Sequence, residues 1–269
     1  MARSEDEHLG RLIVGDETDK KSGILTELAH HFPFTILSAI FAVCAMALLT
    51  TLGGVDSESA GNPVAAECQL EDAECEHDHE TIEEAADHDH DSAFGDLFHV
   101  FHPIHVLLSA MATSAMFWRF EKKLIKAVLV GLIGSLGVCG VSDIVMPFAG
   151  GSLLGTNMTF HFCLVENPML IVPFALLGVL VGLLSSRTLP GRGATIFSHS
   201  AHVIISTMAS LLYLIAFGFH GWMADLFPTF VLLISAVMIP CCMSDIFFPL
   251  LMVEKGRILH DHEGHSCCH

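Results

Sequence analysis

The segment His102-Pro-Ile-His105-Val-Leu-Leu-Ser109-Ala-Met111-Ala112 recurs in the same order as His199-Ser-Ala-His202-Val-Ile-Ile-Ser206-Thr-Met208-Ala209. Six of the eleven positions are identical. A second shared block follows each copy, Cys139-Gly-Val-Ser142-Asp143-Ile144-Val-Met-Pro147 after the first and Cys241-Cys-Met-Ser244-Asp245-Ile246-Phe-Phe-Pro249 after the second. Both blocks lie inside apolar runs, so ionisable side chains were duplicated together with the segments that carry them. The chain therefore reads as two copies of one membrane unit.

The composition is that of an integral membrane protein with charged connections. Hydrophobic residues make up 52% of the 269 positions, although the formal net charge is −18. A helix needs roughly 20 apolar residues to cross about 30 Å of hydrocarbon. The sequence predicts an all-α protein with six transmembrane helices, at about 32–52, 97–118, 124–148, 159–185, 199–220 and 226–252.

The basic residues predict the orientation of these spans. All 12 Lys and Arg fall in 1–30, in the second and fourth connections, or after residue 252. With six spans, all of these Lys and Arg residues lie on one side of the membrane. An odd number of spans would place them on both sides. By the positive-inside rule the shared side is the cytoplasm. We expect a protein of the cell membrane, inner or plasma, with both termini cytoplasmic.

The duplication predicts the domain organisation. His31-Phe32 matches His161-Phe162, which places span one opposite span four and gives a three-plus-three arrangement. A three-span unit duplicated in tandem enters the membrane in opposite senses, which makes an inverted-topology repeat. The expected parts are a cytoplasmic tail 1–30, a first repeat 31–148, a second repeat 149–253 and a cytoplasmic tail 254–269.

Two hydrophilic segments carry candidate metal-capturing residues. The connection 53–97 holds acidic residues, four His and no Lys or Arg, so we expect it to be disordered and extracytoplasmic. Imidazoles beside carboxylates or thiolates suit borderline divalent ions. Cys68 and Cys75 can supply thiolates or form a disulfide, and the sequence leaves both open. The candidates are His77, His79, His88 and His90 in the loop, and His260, His262, His265, Cys267, Cys268 and His269 in the C-terminal tail.

The duplicated blocks predict two ligand sets within the membrane. His102, His105 and Ser109 share one helix face by their spacing, and an Asp in a span costs roughly 2.5–3.5 kcal/mol on insertion scales, which makes it a functional candidate. We expect the two sets at opposite depths. The outer set is His102, His105, Asp143 and His161, and the cytoplasmic set is His31, His199, His202 and Asp245.

Other polar groups in the spans have less specific interpretations. Glu166 is expected near the middle of span four, as a proton or ion relay or as a structural hydrogen-bond partner. His99 and His220 are interpreted as interfacial anchors, and Cys139 and Cys163 as packing residues. Each duplicated Asp is followed four residues later by Pro, which frees its carbonyl from the helical hydrogen bond. Gly178 and Gly182 predict close helix packing.

These patterns favour a permease for a divalent transition-metal ion, Zn²⁺ first and Ni²⁺ or Co²⁺ next, working by alternating access. An integral membrane metalloenzyme and a membrane metal sensor are the alternatives, and the sequence leaves the direction of transport open. The expected partners are the metal ion and the bilayer; a homo-oligomer and a cytoplasmic metallochaperone are compatible additions. Nothing indicates nucleic-acid binding, because the basic clusters are short flanks of membrane spans.

Overall fold

The computed structural model describes residues 17–52, 83–188 and 192–242 together with Phe248 and Met252. Side chains are described for 32–51, 93–118, 120–185 and 200–240 and for those two single residues. This part of the chain is helical and contains no strand. The helices are α1 Glu17–Leu52, α2 Glu83–Phe120, α3 Leu124–Gly140, α4 Met146–Leu153, α5 Cys163–Glu166, α6 Pro168–Thr188, α7 Arg192–Ala216 and α8 Leu226–Ala236. Two π-helical segments, Val141–Val145 and Val237–Cys242, follow α3 and α8.

Four helical stretches are long and apolar enough to cross a membrane: Phe32–Thr51, Ala93–Trp118, Leu124–Leu153 and Pro168–Ser185. Two further apolar helices, Ser200–Ala216 and Leu226–Pro240, are shorter within the described residues. The outward faces of the spans are apolar, whereas His, Ser, Thr and Asp side chains are buried between the helices. This distribution indicates a membrane location. Four of the six predicted spans thus correspond to helices able to cross a membrane, and the number six stays a prediction.

Two hydrophilic segments are partly helical. Helix α1 begins at Glu17, within the predicted tail 1–30, and α2 begins at Glu83, within the connection expected to be disordered. The disorder expected for 53–97 is therefore wrong from Glu83 onward. Extending an existing apolar helix requires no new nucleation. Glu and Ala at 83–86 are strong helix formers, which favours the extension.

The predicted fourth span begins later than expected. Residues 154–162 are not helical, α5 is a single turn, and the continuous helix starts at Pro168. Asn167 adopts φ −129° and ψ 55°, because the ring of a following proline disfavours helical geometry at the preceding residue. The segment from Leu154 to Asn167 instead forms a connection that reaches His99 of α2 and the end of α7.

Helices α2 and α7 form the centre of the bundle. Helix α2 packs against α3, α6 and α7, and α7 also packs against α1. A Cβ atom added at Gly178 of α6 would meet the backbone carbonyl of Leu107 in α2, and one added at Gly182 would meet that of Met111. The close packing predicted for these two glycines is therefore confirmed. Phe98, Leu211 and Tyr213 fill the core beside the polar groups.

The π-helical segment after α3 changes the backbone hydrogen-bond register just before Pro147. The Met146 N–H bonds the Val141 carbonyl, five residues back. Pro147 has no N–H to donate. With five-residue spacing the carbonyl opposite Pro147 is that of Ser142, and with four-residue spacing it is that of Asp143. The Ser142 carbonyl accepts a hydrogen bond from the Ser210 hydroxyl of α7 at 3.1 Å. Whether Pro147 leaves the Asp143 carbonyl without a backbone donor depends on this register, so that expectation stays a prediction.

Candidate metal site

Asp143 lies in the π-helical segment, fully buried, and accepts hydrogen bonds on both carboxylate oxygens. Its Oδ2 is 2.9 Å from His102 Nδ1 and 2.7 Å from His105 Nδ1. Its Oδ1 is 2.8 Å from the Ser142 hydroxyl and 3.4 Å from the Ser206 hydroxyl. A carboxylate offers about four lone-pair positions, so these donors use all of them.

This arrangement assigns Asp143 the role of orienting two imidazoles. A carboxylate only accepts, so the proton of each neutral ring lies on Nδ1 and leaves the lone pair on Nε2. Metal-binding histidines characteristically donate their second ring nitrogen to a carboxylate in this way. The structure brings His102, His105 and Asp143 together; the sequence had interpreted Asp143 as a direct ligand, whereas its oxygens here hold His102 and His105.

The two duplicated segments meet in the interior. His105 Nε2 lies 3.1 Å from His202 Nε2, with the ring planes at 79°. His105 belongs to α2 and His202 to α7, and both side chains are buried. For this pair, the expected separation to opposite depths is wrong. The sequence could not show this, because the crossing of α2 and α7 decides which turns of the two helices touch.

A second cluster lies at His99, near the middle of α2, and sequence reasoning found only one of its members. One ring nitrogen each of His99 and His161 and the Cys163 Sγ lie within 4.8 Å of one another. His99 Nε2 and His161 Nε2 are 3.1 Å apart. His99 had been interpreted as an anchor and Cys163 as packing. The available signal was that His99 lies three residues before His102, on the same side of one helix.

Glu166 differs from its predicted environment. Its side chain is 49% exposed, and it lies at the end of α5 rather than at the middle of a span. Its Oε2 is 2.7 Å from His161 Nδ1, and its Oε1 accepts the Phe162 N–H at 3.1 Å. Partial burial lowers the pKa of His161, which lies between two spanning helices, while the Glu166 carboxylate opposes this shift. The sequence predicted Glu166 to be an isolated carboxylate near mid-membrane. In the structure it is half exposed and paired with His161.

The remaining candidates lie outside what the structure describes. His31, His88, His90 and His199 lie in helices, but the described side chains do not include them. His77, His79, Cys68, Cys75, Asp245 and the C-terminal residues from His260 to His269 lie outside the described residues. Their roles stay predictions.

The imidazoles in the described part of the chain form a spatial series that runs from the partly exposed His161 into the interior of the bundle. His161 is 15% exposed and contacts His99, the His102 ring stacks on Phe98, and His105 is 0% exposed and contacts His202. Such a series could pass a cation from one nitrogen group to the next. Comparison with protein-family models, curated proteins and solved structures found no match.

Proposed function

We propose that this protein carries a divalent transition-metal ion across a membrane, with Zn²⁺ favoured and Ni²⁺ or Co²⁺ next. The observation that carries the proposal is the Asp143 carboxylate, which orients His102 and His105 between helices whose outer faces are apolar. Neutral imidazoles with a carboxylate behind them are suited to these ions. In a membrane interior, such groups are functional candidates because their burial is costly.

The graded burial of the imidazoles supports movement of the ion rather than permanent storage. A transported ion must be released, so each site should hold it less tightly than a structural site with about 10–16 kcal/mol of binding energy. Pairs of imidazoles completed by water meet that condition. The pairs His99–His161 and His105–His202 each have Nε2 atoms 3.1 Å apart, at successive levels of α2.

The contact between His105 and His202 also supports the inverted repeat. These residues are equivalent in the duplicated segments, and they touch through the same ring atom. A two-fold axis brings equivalent atoms together only where it passes between them. Packing of α2 with α6 has its repeat counterpart in packing of α7 with α1. We infer a pseudo-two-fold axis between His105 and His202, with alternating access as rocking of one repeat against the other.

An integral membrane metalloenzyme is the second candidate, and the same contact favours it. Two ligand sets at opposite depths, as expected from the sequence, would lie too far apart for one catalytic centre, but His105 and His202 are in contact. A bound ion there could activate water. The transport proposal takes precedence because the imidazole series continues to His161, beyond the needs of a single centre.

The test is uptake of Zn²⁺, Ni²⁺, Co²⁺ and Mn²⁺ into proteoliposomes containing the full chain. Loss of a carboxylate behind a metal-binding histidine typically costs 10–100-fold, so we expect Asp143→Asn to lower saturable flux by about that factor. The inverted repeat predicts an equal loss in Asp245→Asn. The exposed Asp225, at the start of α8, supplies the control Asp225→Asn with unchanged flux.

Three outcomes separate the candidates. Flux that both Asp143→Asn and Asp245→Asn reduce supports transport through repeat-related sites. A tightly held ion without any flux favours the enzyme, and equal flux in the parent and Asp143→Asn would exclude the proposed pathway.

A further inference from the structure

We propose that His99 and His161, one imidazole pair of the proposed pathway, form together with Cys163 a binding site with two imidazoles and one thiolate for a thiol-binding divalent ion of the Zn²⁺ class, and that Glu166 positions His161. The three side chains come from two parts of the chain. His99 projects from α2, while His161 and Cys163 come from the connection before α6 and the first residue of α5. This site concerns binding and stands whether or not the protein transports the ion.

The hydrogen bond at Nδ1 of each ring determines which tautomer the imidazole adopts. His99 Nδ1 lies 2.7 Å from the Gly95 carbonyl, and His161 Nδ1 lies 2.7 Å from Glu166 Oε2. Both partners accept only, so both Nδ1 atoms carry hydrogen. In the neutral rings, the two Nε2 atoms are therefore acceptors.

These two acceptor nitrogens face each other at 3.1 Å. Two lone pairs at that distance repel unless a cation lies between or beside them. In a tetrahedral Zn²⁺ site, with Zn–N bonds of 2.0–2.1 Å, two ligand nitrogens are about 3.3 Å apart. The observed separation is thus close to that of two nitrogens bound to one ion.

Cys163 supplies the third ligand. Its side chain is buried, its thiol is free, and its sulfur lies within 4.8 Å of the ring nitrogens. Thiolate with two imidazoles is a ligand set that occurs in zinc sites with one position left for water or another ligand. The partly exposed side chains of His161 and Glu166 place this cluster where an ion can arrive from outside the bundle.

The surroundings hold His161 in place. Its backbone N–H donates to the Tyr213 hydroxyl at 3.1 Å, and its ring stacks on Phe217 with the planes at 10°. Glu166 is restrained although half exposed, because its second oxygen accepts the Phe162 N–H. The carboxylate fixes the tautomer of His161 without occupying the metal-binding nitrogen.

The test is titration of the purified full chain with Co²⁺, whose thiolate complexes absorb in the near ultraviolet through charge transfer from sulfur. Cys68, Cys75, Cys267 and Cys268 are replaced by Ser so that loop and tail thiols do not contribute. We expect one equivalent of Co²⁺ to give the band and Cys163→Ser to abolish it. Cys44→Ser, which removes an exposed thiol of α1, retains the band.

Two further variants separate ligation from folding. His99→Ala keeps the thiol and should raise the Co²⁺ dissociation constant at least tenfold, while elution as a single species shows that the protein is folded. Glu166→Gln should weaken binding by about 10–100-fold with the band unchanged at saturation. A purely structural Glu166 would lower the thermal midpoint and leave the Co²⁺ affinity of the folded protein unchanged.

A band that persists in Cys163→Ser would overturn the site. So would absence of the thiolate band in the parent, since the two imidazoles would then share a proton. The result is independent of transport, because a band without flux keeps this site and removes the permease, whereas flux without the band does the reverse.

Discussion

Asp143 is buried, yet its hydrogen bonds leave neither oxygen without a donor. The imidazoles depend on the carboxylate in turn, because His102 and His105 each donate an N–H to its Oδ2 in a buried site. A buried donor without an acceptor costs about 1–3 kcal/mol. Orientation of the imidazoles and stability of the bundle therefore depend on the same carboxylate.

We expect Asp143→Ala to lower the free energy of unfolding by about 1–3 kcal/mol for each imidazole N–H it leaves unpaired. Asp143→Asn retains one acceptor oxygen and should lose less. Thermal unfolding of the purified protein in detergent measures both. Asp225→Ala, at an exposed residue, should stay within about 0.5 kcal/mol of the parent. Equal stability of Asp143→Ala and the parent would contradict the network.

At the scale of elements, the approach of α6 to α2 sets the position of the histidine face. In lipid, the hydrophobic effect contributes little to the free energy of helix association. Close packing at small residues therefore contributes much of that free energy. The Gly178-Val-Leu-Val-Gly182 segment presents bare backbone to Leu107 and Met111 of α2. These contacts lie two and six residues after His105 on the same helix, within two helical turns.

We expect Gly178→Ala to destabilise the bundle by about 1–3 kcal/mol, because its added methyl group would meet the Leu107 carbonyl and Ala110 Cβ. The control is Gly137→Ala in α3, where no described atom lies within 4 Å of the new Cβ. That substitution should be neutral or slightly stabilising, because Ala favours a helix interior over Gly. Midpoints of thermal aggregation compare the two variants, and equal midpoints would show that α2 and α6 do not depend on this approach.

For the whole molecule, the proposed topology has six crossings and both termini in the cytoplasm. The distribution of Lys and Arg carries this prediction. We expect a membrane-impermeant maleimide added to intact cells to label Cys68 or Cys75 in single-cysteine variants, and to label Cys267 only after permeabilisation. Cys139, buried between helices, is the control that stays unlabelled in both conditions. External labelling of Cys267 together with external labelling of Cys68 or Cys75 would require an odd number of crossings.

The apolar runs were enough to predict four spans, because length and hydropathy are properties of a local segment. The same runs misplaced the start of the fourth helix, since hydropathy does not register that Asn167 before Pro168 leaves the helical conformation. Local composition also indicated disorder up to residue 97, although α2 propagates back to Glu83 from an apolar helix that is already formed.

For the candidate site, the duplicated His and Asp residues could be read from the chain because repetition of costly polar groups is visible in one dimension. Their partners could not. The meeting of His105 with His202, and of His99 with His161 and Cys163, depends on helix crossing and on the fold of a connection. The sequence pattern thus shows which polar side chains have a high free-energy cost of burial. Helix packing decides which of them share a hydrogen bond, because such bonds need separations of about 3 Å between residues far apart in the chain.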